Sequence, residues 1–594
     1  MKVWQVAACA AAIWMMGAVA PAPVNASPAS GIPAGGREEQ VTHNFDRTVP
    51  LPGGQSVRME HKFGDITVRT HASRDVHIAA TIRVSASSQQ EAETFANQVQ
   101  IHLEPSASGL LIRTDYPEQN NSFWNHKNVS FSVEYKIEMP EDAPLTVRNS
   151  FGSVSVYSLK AATDIDNKQG SVTVHDGRGL QLLRDSFGSI ELIDNEGDAD
   201  LGTNNGSVNA GQIHGALTIR DRFGNVTANN ITKTATITNN NGSVALHQAG
   251  GATNVTNSFG AVTVSDITGD LILHNSYGSV DVQNVSGAAE LYTSFASISF
   301  LNIKQKLLCH SQNGNITGSV TGTAASLRTS FGTVDAHDIG GALDVDDQNG
   351  KIVLRDIHGG VQLKTSFGSV LAENIHGDAT ISNNNGSIKV SGIDGALDIT
   401  GHFSGVDASE VKHGARVLDG NANVSLSDVG GEAYVKTSFG LVRANGIGGS
   451  FTVDSSNGAV KATEVHGPIS VRTSFGPVIL EDIQGSVDVE NQNATVDVSG
   501  VEQRGGSASC NHINLHTSFG TIRLRLPDNA NYDLSSHTSF GKVNSELPVT
   551  AVGVLGGDSL NGKINAGGCQ LQLTNNNGSI EILRTDSPSR GKKR

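Results

Sequence analysis

The side chains most able to do chemistry are few in this sequence, and their spacing is informative. Asp344, Asp346 and Asp347 form a local acidic cluster. A carboxylate pair is what glycosidic hydrolysis requires. Here the three flank an apolar residue, Val345, in an alternating segment, which places them on an outward strand face and a turn. His214, His358, His376 and His466 share one phase just before a turn glycine, but only His358 and His376 are a single repeat apart. A zinc site needs three or four converging ligands, and no third is evident. Calcium-binding β-rolls need Asp at a fixed phase of every glycine-rich turn. These turns carry Ser, Asn, Phe and His, with Asp only sporadic. No metal and no cofactor is expected.

Three cysteines follow the N-terminal apolar segment. Cys510 and Cys569 could pair, although spacing alone cannot show it. Cys309 falls in an apolar column and reads as a small core residue. The more interesting column is aromatic. Phe151, Phe187, Phe223, Phe259, Phe295, Phe331, Phe367, Phe403, Phe439 and Phe475 recur every 36 residues. Midway between them stand Gln169, Asn205, Asn241, Asn313, Asn349, Asn385, Asn421, Asn457 and Asn493, with Tyr277 the one exception. Two readings are open. The rings pack into a corner of the fold, with the alternation relieving crowding between neighbouring levels; or they form an exposed ladder for sugar rings or apolar partners. The first is the expectation. It predicts that replacing Phe331, Phe367 and Phe439 by Ala chiefly lowers stability.

A column requires a repeat to generate it. From position 152, a step of 18 lands on Gly, Ala or Ser twenty times in succession, to Ala494, without one insertion. Two residues later the side chain is always Val or Ile, as in Val154, Ile190, Ile352 and Val496. These residues suit a pleated, packed surface. Thirteen residues after the glycine runs another apolar column, including Ile165, Leu201, Leu363 and Val471. Apolar spacing of two, with none of three and four, selects strands over helices. Segments such as Asp356-Ile357-His358-Gly359 and Asp482-Ile483-Gln484-Gly485 read as turns between the strands. One such unit buries almost nothing alone, whereas stacking the units in register gives a continuous core. The expected fold is all-β: a long parallel β-solenoid (β-helix) of about twenty 18-residue rungs, roughly 95 Å long at ~4.8 Å per rung. Handedness, and the choice between two faces and three, stay open.

The flanks differ. Residues 1–26 read as a secretory signal, with Lys2, an apolar stretch and Val24-Asn25-Ala26 before a mature start at Ser27. Cys9 lies too early in that stretch for a lipid-attachment site. Residues 27–41 are rich in Ala, Gly, Pro and Ser and read as a flexible linker. Residues 42–148 break the register and suggest a small β-rich cap, with one helix candidate from Ser88 to Gln100. The repeats occupy 149–500. Residues 501–585 keep the motif at irregular spacing, as a C-terminal cap. Residues 586–594 form a basic, disordered tail. The 594-residue chain carries a net charge of −16. That argues against nucleic-acid partners, and no later stretch is apolar enough to span a bilayer.

Pro52-Gly53-Gly54, then Phe63-Gly64-Asp65-Ile66-Thr67-Val68, the recurring Gly-x-Val/Ile-x-Val strands and the closing Asn576-Asn577-Gly578-Ser579-Ile580-Glu581-Ile582 resemble the bacterial "putative adhesin" family of exported β-strand repeat proteins, a domain of unknown function. The resemblance covers nearly all of the expected mature chain. It implies an adhesive role and brings no catalytic residues. The expectation is therefore a non-catalytic exported protein of the periplasm, cell surface or medium, adhesin-like or an envelope scaffold, with glycans or surface proteins as partners. The alternatives are a carbohydrate-active β-helix enzyme, against which the missing loop insertions count, and a self-assembling fibre or coat protein.

Overall fold

A computed structural model describes residues 39–117, 129–502, 510–551 and 556–585. The expected signal peptide, the expected linker up to residue 38 and the basic tail lie outside these residues. Glu39 to Val41, read as the end of the linker, already belong to the strand Glu39–Pro50.

The repeat folds as two parallel sheets facing each other. Val172–Arg178 lies in one and Gln181–Phe187 in the other. Each strand pairs with its equivalent 18 residues on, as Val172 with Ile190 and Leu183 with Leu201. That offset holds from Leu145–Thr163 to Val478–Val496. The Val/Ile columns point inward and are almost completely buried, Val154, Ile352 and Val496 among them. Cys309 lies in the same core, fully buried, and burial pushes its thiol pKa well up.

At most corners glycine serves the close approach of successive levels, with Ala296, Ser404, Ala422 and Ala494 the exceptions. A Cβ on Gly206 would lie 2.0 Å from the carbonyl oxygen of Gly188. The second turn differs from its sequence reading. Ile357 and Ile483, read as turn residues, are fully buried. The residue before each adopts a left-handed backbone, with φ of 54° at Asp356 and 58° at Asp482. This kink sets two outward residues in a row and then returns the chain to the core. Asn and Asp tolerate the left-handed region better than other non-glycine residues, and they dominate a column running from Ser158 to Asp482. Their side chains also bridge levels, as Asn284 Nδ2 donates to Asp266 Oδ1 (2.9 Å) and Asn302 Nδ2 to Asn284 Oδ1 (2.9 Å).

At both ends the order of levels in space departs from the order in the chain. Ser56–Glu60 and Ile66–His71 form a solenoid level of their own. Met59 pairs with Val147 on one side and with Ile112 on the other; Val68 pairs with Val156 and with Ile137. Residues 42–148 thus contribute two more levels of the rod, the later segment in sequence lying outermost. Antiparallel strands Asp75–Ala86 and Gln100–Ser106 cover that outer level. The helix candidate is a helix, Gln89–Gln98, with Ser88 as N-cap accepting from the Glu91 amide.

The C-terminal end does the same in reverse. Leu515 pairs with Leu573 rather than with Leu534, and Leu534 pairs with Leu571. The level of residues 569–584 is therefore inserted between that of 513–526 and that of 532–545. Cys510 and Cys569 form a disulfide at the entry to this arrangement. Ser559–Ile564 covers the outermost strand Tyr532–Thr538 antiparallel. Among the described residues no helix is long and apolar enough to cross a membrane.

Candidate binding edge

The motif that reads Thr-Ser-Phe-Gly or Asn-Asn-Asn-Gly is one corner of the rod, and its first residue is the one turned inward. Asn167, Thr203, Asn239, Asn275, Ser311, Thr329, Asn383 and Asn491 are all buried at this phase. Their side chains donate to the backbone carbonyls that the tight corner leaves open. Asn275 Nδ2 donates to Gly260 O of the preceding level (2.9 Å) and to Gly278 O of its own (2.7 Å). Thr329 Oγ1 donates to Gly314 O (3.0 Å), and Asn491 Nδ2 to Gly476 O (2.8 Å). A buried carbonyl left unpaired costs about as much as a lost hydrogen bond, so each of these bonds to a preceding carbonyl ties its level to the last. The periodicity makes the column visible in the sequence, but its Asn, Thr, Ser and Asp side chains are polar and so do not mark it as internal.

Two residues further on, the rings stand outside. The corner-packing expectation is wrong: the ten phenylalanines are 43–63% exposed. Crowding does not account for the alternation either. At the single level where an aromatic interrupts it, Tyr277 stacks on Phe259 at 4.8 Å and on Phe295 at 5.1 Å, with ring planes within 1° and 7°. Rings on successive levels therefore fit. On five of the alternate levels, those of Asn205, Asn241, Asn313, Asn349 and Asn493, the amide folds back onto the backbone of the preceding level, Asn349 Nδ2 donating to Ser330 O (3.1 Å) and Asn493 Nδ2 to Ser474 O (3.2 Å). The phenyl rings thus stand out along the edge with low amide levels between them.

The alternation survives the rearranged C-terminal end. A Cβ on Gly578 would meet Gly520 O at 1.9 Å, and one on Gly541 would meet Gly578 O at 2.1 Å. The spatial order is accordingly Phe475, Asn493, Phe519, Asn577, Phe540, although Phe540 precedes Asn577 in the chain. Phe519 and Phe540 are 54% and 76% exposed. The edge is also almost free of charge. From Ser150 to Thr495, the two positions before each corner glycine (or its Ala or Ser substitute) and the one after it carry only Lys168, Arg222 and Lys351, and no carboxylate, in a chain with 58 acidic residues. At the N-terminal end the ladder closes. Phe63 stacks on Phe151 at 5.2 Å and packs edge-on against Tyr116 and Phe131.

The other chemical candidates disperse. Asp347 is not a solvated turn residue: it occupies the buried corner column, accepting from the amides of Asn349 and Gly350 at 3.3 and 3.1 Å. Desolvation raises its pKa to about 6. Asp185, at the same phase, is raised to about 6 by the same cause. Asp344 faces outward towards Arg328 at 3.6 Å. His358 and His376 are exposed and stack on each other at 5.1 Å, and His376 Nδ1 lies 2.8 Å from Asp394 Oδ2. His214 and His466 are exposed elsewhere on that turn. Among the described residues no three His, Cys, Asp or Glu side chains converge as metal ligands. A hollow on one sheet face is lined by Asp398, Arg416 and Tyr434, whose polar groups face one another or Asp454.

No family model matches the chain, and no curated protein matches it. Among solved structures, one match is a "putative cell adhesion protein" from Clostridium sporogenes. It is 10% identical, covers 30% of this chain and 100% of its own, and has a TM-score of 0.21. A likeness that loose transfers neither fold nor function.

Proposed function

We propose that this chain is an exported, non-catalytic β-solenoid, adhesin-like or an envelope scaffold, that engages its partner along the aromatic edge. The observation that carries the reading is that edge itself: a regularly spaced, exposed aromatic column on a nearly uncharged strip of an acidic protein. Depletion of charge and enrichment in aromatic residues is the composition of interface centres. The motif resemblance to exported adhesins supports the same reading. So does the rod, whose repeats run without the loop insertions that wall a cleft.

Glycans and surface proteins are the partners to screen, on glycan and matrix-protein arrays, with the Phe331, Phe367 and Phe439→Ala variant beside the wild type. Exposed rings make the variant's unfolding free energy equal to wild type within about 0.5 kcal/mol per site, while retention on the array falls. Unchanged retention with a lowered Tm would return the ladder to a structural role. Cell fractionation tests export, and a chain confined to the cytoplasm refutes it. Of the other readings, fibre growth through the rod ends is disfavoured by the antiparallel strands that cover both sheets at the N-terminal end and one sheet at the C-terminal end.

A further inference from the structure

We infer that the aromatic edge pairs with the same edge of a second copy of this chain, the rings of each entering the gaps of the other. The inference rests on the edge being a binding surface and names its partner. Tyr277 shows what a gap accepts: a planar ring seated between two phenyl rings, 4.8 and 5.1 Å from them and nearly parallel to both. The faces of those rings are turned along the rod axis towards each other, an arrangement suited to an inserted ring rather than to a sugar chain lying flat along the edge. Elsewhere the gap holds only an amide, folded onto the preceding level's backbone at Asn205, Asn241, Asn313, Asn349 and Asn493. Two levels, ~9.6 Å, separate successive phenylalanines, and a second copy carries rings at that same period.

The two ladders also match in register. A two-fold axis perpendicular to the rod, passing between the levels of Asn421 and Phe439, sets Phe439 of one copy opposite Asn421 of the other and Phe331 opposite Asn577. Every ring from Phe331 to Phe540 then faces an amide level. Tyr277, which fills the one occupied gap, lies just beyond the paired run. Such an isologous pairing closes as a dimer. Seven half-exposed rings per copy, at roughly 100 Å² each, cover ~1,400 Å² in total, within the range of specific interfaces. The strip's lack of carboxylates removes the repulsion that two acidic rods would otherwise meet there.

Sedimentation velocity on the purified chain tests this with two sets of variants. Wild type is expected to sediment as a concentration-dependent dimer. Asn385, Asn421 and Asn457→Tyr fills three gaps as Tyr277 does, adding apolar surface while closing the slots; the dimer is expected to be lost at concentrations where wild type is fully dimeric. Phe367, Phe403 and Phe439→Asn is expected to do the same, and circular dichroism checks that both variants fold. A plugged variant that associates as tightly as wild type overturns interdigitation in favour of undirected apolar contact. A wild type that stays monomeric at its highest soluble concentration overturns self-pairing. In that case, pull-down on insoluble cellulose and chitin separates two failures: binding that the Phe→Asn variant loses keeps the edge as a glycan site, and no binding removes the edge as a binding surface there as well.

Discussion

The middle of the rod and its two ends are built from the same level but assembled differently. In the middle each level follows its predecessor in the chain, so each strand pairs with its equivalents 18 residues before and after it. At each end one level is inserted between two others that precede or follow it in sequence, so contacts span 88 residues at one end and 58 at the other, as Met59 with Val147 and Leu515 with Leu573 show. The corner chemistry nonetheless continues through the C-terminal insertion. Asn575 Nδ2 donates to Gly520 O (2.7 Å), and Thr538 Oγ1 to Gly578 O (2.9 Å). What the fold holds constant is the sequence of side chains along the rod axis, whatever route the chain takes to supply them.

The sharpest way to separate end from middle is the Cys510–Cys569 disulfide, which closes a separation of 59 residues. Replacing both by Ser should cost the C-terminal end about 4 kcal/mol on a chain-entropy account. Hydrogen exchange should show it as lost protection across 513–584, with 145–480 unchanged. Loss spread along the whole rod would mean that the levels do not behave as nearest-neighbour units.

Next in size is a matched pair of core truncations. Leu573 and Leu363 are both buried, and each change to Ala should cost about 3 kcal/mol. Leu573→Ala should open the inserted level together with 532–564, which depends on it; Leu363→Ala should loosen only the adjacent levels. Equal footprints in exchange would erase the distinction drawn here.

Acid should act oppositely on the middle and the N-terminal end. Asp347 and Asp185, with folded pKa values near 6, bind their protons more tightly folded than unfolded. Their contribution is complete at acid pH and is lost as pH rises through 6. His61, in the N-terminal cap, is lowered to about 4 by burial and lies against Tyr116 and Thr114. It contributes above pH 6.5, and that contribution is lost as pH falls towards 4. Between pH 6.5 and 4.5 the exchange of 325–365 should slow while that of 56–71 quickens. Asp347→Asn should stabilise its level at pH 7 by up to about 3 kcal/mol and remove most of the local pH dependence. A variant less stable than wild type at pH 7 would show the carboxylate to be well solvated.

How far these contrasts could be read in advance depends on what kind of information each needs. The levels were legible because Val and Ile return at a strict step of 18. The buried Ile at 357 and 483 was not, because a left-handed residue reverses the inward–outward alternation on which strand reading depends. The exposed Phe column was misjudged because a large apolar ring is more often buried. The inserted levels were hidden in principle. A strand motif after an excursion says that another level exists, but it does not say between which two it lies.

The smallest test concerns that same left-handed column. Val320, β-branched, holds φ of 58° where its equivalents are mostly Asn and Asp. Val320→Asn should raise stability by about 1 kcal/mol, measured as slower exchange in 316–339. No gain would mean that Val320 earns its place through packing.

The inserted C-terminal level has a mechanical consequence. Ile580–Arg584, the last described strand, lies between Ile522–Leu526 and Val543–Ser545 rather than on a free edge. A pull along the strand at Arg584 would be resisted by ladders on both sides over Ile580–Ile582. A terminal strand at a free edge would be held by one ladder alone.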